Sequence, residues 1–83
     1  DPSAQSWELR DAGLLKLFFG ADPDALADAQ LAAHRDRLAD YEELRDAAGS
    51  SLPKGMLLAL EAGIGHEREY LRFWEAVAAG REP

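Results

Sequence analysis

Residues 56–79, MLLALEAGIGHEREYLRFWEAVAA, carry two apolar stripes side by side, and this pattern constrains the fold more than any other stretch. At about 100° per residue, Leu57, Leu60, Ile64, Leu71, Trp74 and Ala78 share one stripe. Met56, Ala59, Gly63, Tyr70, Phe73 and Val77 form the second, and Glu61, Arg68, Glu69, Arg72 and Glu75 gather on the remaining side. Together the stripes span roughly 200° of the circumference, where a surface helix resting on one neighbour needs roughly 100°. A single partner helix cannot cover that arc. The segment is therefore expected to be the central helix of a core larger than one chain can build.

A second helix is expected from Pro23 to Ala48, about 39 Å long at 1.5 Å per residue. Asp22 is suited to cap it, Pro23 fits its first turn, and acidic residues favour the positive end of the helix. Leu26, Ala27, Leu31, Ala33, Leu38, Tyr41, Leu44 and Ala48 lie in one broad arc, with Asp28, Arg35, Asp36, Asp40, Glu42, Glu43 and Asp46 opposite. Ala48 to Pro53 reads as a turn, with Pro53 beginning the third helix. Ahead of these, Trp7 to Gly20 reads as a short, strongly apolar helix wedged between the larger elements and stopped by Gly20. No strand alternation or internal repeat occurs. The fold class expected is all-α: a short N-terminal helix plus a long antiparallel helical hairpin, dimerising into a helical bundle. Residues 1–7 read as a flexible arm or linker end, 8–80 as the domain and 81–83 as a tail.

Composition narrows the function classes. A formal charge of −7 over 83 residues argues against this chain gripping a phosphate backbone by itself. The absence of cysteine excludes disulfides and thiolate metal sites and suits a reducing compartment, so a cytoplasmic location is expected. No apolar run has membrane length, so no membrane partner is expected. An Asp1 start without methionine suits a fragment or a processed product.

Catalytic patterns are lacking. His66-Glu-Arg-Glu-Tyr70 begins like the zinc-protease motif HExxH, but Tyr70 replaces the second histidine, so zinc lacks its first clamp. Gly63 and Gly65 lie inside an apolar helix rather than in a phosphate loop and are expected to permit close helix approach. No nucleophile, acid or base set is present. The chain is expected to be no enzyme and to need neither a cofactor nor a metal.

Polar residues within the apolar arcs are the remaining candidates for a site. Gln30, His34, Arg37 and Tyr41 project from the inner side of the second helix; Glu67 interrupts the main stripe of the third, with His66 at its edge. One reading is pairing that fixes helix register, with Arg37 as the partner of Glu67. The other is an effector pocket formed by Gln30, His34, Arg37, Tyr41, His66, Glu67 and Trp74, with Tyr70 and Phe73 as further aromatic walls. The residues expected at a dimer interface are Leu14, Leu17, Phe18, Leu57, Leu60, Ile64, Tyr70, Leu71, Phe73, Trp74 and Val77.

The stretch Arg10-Asp-Ala-Gly-Leu-Leu-Lys-Leu-Phe-Phe-Gly20, followed by a proline-opened charged helix and then by Gly63-Ile64, Glu67 and Trp74, resembles the C-terminal domain of PadR-like transcriptional regulators of the virulence-activator alpha type. That resemblance implies a dimerisation domain carried behind a winged helix, with small aromatic effectors sensed by several members. Self-association is then the main partnership, and operator DNA is reached only through a parent protein, because no winged helix lies within these residues. Ala12-Gly13 stands where bulkier residues are common in that family, which predicts a loose entry to the first helix. A free-standing helical protein–protein interaction module is the alternative.

Overall fold

A computed structural model describes residues 11–82 of the chain, and all regular structure there is helical. Helix α1 spans Ala12–Phe18, α2 spans Pro23–Ala48 and α3 spans Lys54–Ala78; a single 3-10 turn, Gly49–Ser51, joins the last two. The expected arm at 1–7 and the first residues of the expected first helix lie outside the described residues.

Each boundary has a local cause. Asp11, in an extended conformation, caps α1 by accepting a hydrogen bond from the Leu14 N–H at 3.1 Å. Among the described residues α1 therefore begins at Ala12. Its end is as the sequence signals: Gly20 adopts φ 93°, and the Ala21 N–H reaches back to the Lys16 carbonyl at 2.9 Å. Asp22 caps α2, with Pro23 in its first turn. Gly80, at φ 71°, closes α3 in the same way as Gly20, with the Arg81 N–H on the Ala76 carbonyl at 2.9 Å.

Helices α2 and α3 form an antiparallel hairpin: Gly49 lies near Leu57, Arg45 meets Glu61, Tyr41 covers Gly63 and His34 meets Glu67. The core sits toward the open end. Ala27, Leu31, Leu71 and Trp74 are buried together, with Leu14, Leu17, Leu26, Leu38, Tyr70, Phe73 and Val77 packed around them. Leu60 and Ile64 are buried nearer the turn. Four residues of the first stripe of α3, Leu60, Ile64, Leu71 and Trp74, are thus buried within a single chain, while Ala78 is exposed. Leu60, Ile64, Leu71 and Trp74, expected at a dimer interface, are core residues of the hairpin itself. Leu57, Tyr70, Phe73 and Val77 of α3 and Leu14 and Leu17 of α1 are half-buried, whereas Phe18 is exposed.

The short helix α1 lies over the groove between α2 and α3, and Gly13 is what lets it in. A Cβ on Gly13 would lie 2.5 Å from Gln30 Oε1 and 3.0 Å from Trp74 Cζ2. The entry to α1 is therefore tight, contrary to the looseness expected from Ala12-Gly13. Gly63 acts likewise, since a Cβ there would meet the Tyr41 ring at 3.1 Å, but Gly65 has nothing within 4 Å and takes no part in close approach. Gly13→Val should lower stability by about 1–3 kcal/mol, because the Trp74 ring cannot yield as the end of Gln30 can. Urea unfolding of both proteins measures this, and an unchanged midpoint would show that α1 does not seat on Trp74.

Candidate functional site

The site is built on Glu67, which the helical period of α3 places in the buried stripe between Ile64 and Leu71. The residue is 4 % exposed. A carboxylate so far from water requires partners, and α2 supplies two from positions one turn apart. His34 Nδ1 contacts Glu67 Oε2, and Arg37 Nη1 donates to Glu67 Oε1 at 3.1 Å. Both carboxylate oxygens are thereby engaged from the same helix.

The two partners differ in setting. His34 is 2 % exposed, and its ring lies nearly parallel to that of Tyr70, 4.7 Å between centroids and 23° apart. Arg37 is 49 % exposed along its side chain. It bonds Glu67 with one arm of its fork and keeps the rest of its five N–H donors. The expected partnership of Arg37 with Glu67 is present, and the more deeply buried partner is His34.

In front of this group lies an open cleft of about 270 Å³, lined by Asp11, Arg37, Tyr41, Gly63, His66, Glu67 and Tyr70. Of the residues expected to form a pocket, Arg37, Tyr41, His66 and Glu67 line it. Gln30, His34 and Trp74 do not. The Gln30 side chain is packed against Gly13, and His34 lies buried in contact with Glu67. Trp74 is fully buried, edge-on to Phe73 at 5.0 Å, with its Nε1 finding no acceptor among the described residues. Phe73 packs with the core instead of walling the cleft.

Sequence reasoning missed Asp11 altogether. Its signal, an acid three residues before the apolar Leu14, is an ordinary cap pattern, and only the fold shows that the capping carboxylate also borders the cleft. Among the described residues, the cleft lies where α1, seated near Gln30 and Trp74, does not reach the half of the groove near Tyr41 and Gly63.

Flanking ion pairs lie on the surface. Arg68 Nη2 donates to Glu42 Oε2 at 3.1 Å, and Arg45 Nη1 lies 3.5 Å from Glu61 Oε1. Exposed pairs of this kind contribute roughly 0–1 kcal/mol each, so they favour the hairpin register without setting it. Further along α3, the hydrogen bond from Arg72 holds the Glu69 carboxyl below its usual range. No group of acids and histidines suited to a metal ion occurs among the described residues. No described helix is long and apolar enough to cross a membrane.

The family model described as virulence activator alpha C-term matches residues 9–80. No curated protein and no solved structure gives a significant match.

The geometry predicts how substitutions at the buried group combine. Glu67→Leu and His34→Leu alone should each cost about 3–5 kcal/mol, since each strands a buried polar partner, and the double change should recover much of the loss. Arg37→Leu should cost only about 1 kcal/mol, because the guanidinium is half in water and Glu67 keeps His34. A double-mutant cycle by chemical unfolding at fixed protein concentration reads the coupling. Additive His34 and Glu67 effects would contradict the contact.

Proposed function

The chain belongs to the virulence activator alpha C-terminal family, and from that premise we propose that it is the dimerisation and effector-sensing domain of a PadR-like winged-helix regulator. In this reading the hairpin is a spacer. Two copies associate through their helices and hold two DNA-reading domains, carried elsewhere in the parent protein, at a separation suited to a two-fold operator. The cleft beside Glu67 is the sensing element, and its occupant is a small aromatic molecule lying against Tyr41 and Tyr70. The parent works in the cytoplasm.

One observation carries the reading. On a domain this small, Phe18, Phe19, Leu44, Met56 and Leu58 are exposed among the described residues. Phe19 is 80 % exposed, and its ring meets Phe18 edge-on at 5.1 Å instead of turning into the core. Met56 begins the second apolar stripe of α3, which the hairpin leaves only partly covered. Exposed apolar side chains on this scale favour association with a like surface. Acidic residues predominate on the outer face of α2, which disfavours direct contact with DNA.

Sedimentation tests the assembly. The chain should sediment as a dimer at micromolar concentration. Phe18→Ser and Met56→Lys should each shift it toward monomer with little change in helix content, because both side chains are exposed in the single chain. A folded monomer at that concentration would overturn the reading. The chain alone should also show no binding to duplex DNA at physiological salt, and submicromolar, salt-sensitive binding would contradict its role as a spacer.

A further inference from the structure

The charges around the cleft are arranged in an unusual way. Arg37 and Asp11 both line it, yet no ion pair joins them among the described residues. Glu67, the other acid there, has both oxygens engaged by His34 and Arg37. Asp11 uses Oδ1 to cap α1 through the Leu14 N–H and keeps Oδ2 as an acceptor. Arg37 gives Nη1 to Glu67 and keeps the remainder of its fork. Arg37 and Asp11 therefore border the same small cleft, beside His66, each with hydrogen-bonding capacity left over.

We propose that the cleft binds a zwitterionic small molecule of the α-amino acid class, with Arg37 taking the carboxylate and Asp11 the ammonium. A ligand that is only an anion would be drawn to Arg37 and repelled by Asp11. A ligand that is only a cation would meet the reverse conflict. A dipolar ligand satisfies both groups and leaves the site's net charge unchanged. The ligand's side chain lies against Tyr41, whose ring covers Gly63, and Tyr70, whose ring is backed by His34. These walls favour a flat, aromatic side chain. The volume of about 270 Å³ suits one small molecule rather than a peptide.

The inference rests on reading the cleft as an effector site, and it has its own test. Three probes share a phenyl ring and a short tether: L-phenylalanine carries both poles, 3-phenylpropionate only the anion and phenethylamine only the cation. Each is titrated into the ¹⁵N-labelled chain while the amides of Gly63 and Tyr70 are followed. L-Phenylalanine should bind at least about tenfold more tightly than either single-pole analogue, the value of one charge-assisted hydrogen bond.

Asp11→Asn retains a capping side chain but removes the negative pole. It should bring L-phenylalanine down to the level of 3-phenylpropionate. Arg37→Gln should bring it down to the level of phenethylamine, with the amide spectrum showing that the fold persists. Either single-pole probe matching L-phenylalanine in the wild-type chain would overturn the proposal, as would an Asp11→Asn variant that binds L-phenylalanine unchanged. Absence of any shift at Gly63 and Tyr70 up to millimolar probe would also overturn it. If the chain still sediments as a dimer in that case, the dimerisation reading stands and only the ligand assignment falls.

Discussion

A carboxylate inside a helical hairpin leaves the two helices few ways to pack. Glu67 must bring its charge to partners or lose several kcal/mol, and its partners all come from one stretch of α2. His34 and Arg37 are three residues apart, so they present adjacent positions on the same face of that helix. Once Glu67 lies between them, the rotation of α3 is set, and its first apolar stripe must face Ala27, Leu31 and Leu38. The same register brings Tyr41 over Gly63 and Arg45 to Glu61. A purely apolar seam would tolerate sliding by a turn; this one does not, because a shift would separate the acid from both bases.

The second constraint is geometric. Helix α1 has only seven residues and sits in the groove through the space left by Gly13. It adds Leu14 and Leu17 to the core and shields Trp74, but it cannot reach the turn end of the hairpin. The half of the groove that α1 does not reach is the cleft, and the capping acid of α1 forms part of its rim. The element that completes the core thus also defines the site. Phe18 and Phe19, just beyond the point where α1 seats, are left on the surface together with the exposed residues near the turn.

Much of this was legible in the sequence, for identifiable reasons. Asp22-Pro23-Asp24 and the turn before Pro53 place the hairpin helices, because capping and proline geometry act over a few residues. Glu67 stands out as a charge in an apolar stripe, and a base on the opposing arc follows from electrostatics. What a helical wheel cannot give is which third element lies over the groove. For that reason Gln30 and Trp74 read as pocket residues when α1 packs against both. Gly13 read as looseness when it is the point of closest approach, and Asp11 passed unnoticed. The width of the apolar arc on α3 similarly pointed to an interface for Leu60, Ile64, Leu71 and Trp74, although one chain already buries them.

His34 and Glu67 close the hairpin within one chain, and in the proposed dimer a second chain meets the exposed stripe. Isotope-filtered NOE spectra of a refolded mixture of labelled and unlabelled protein separate contacts within a chain from contacts between chains. His34 and Tyr70 ring protons, their centroids 4.7 Å apart, should give NOEs only within a chain, while Met56 should give NOEs between chains. His34–Tyr70 NOEs found only between chains would mean that the helices are exchanged, and would contradict closure within one chain.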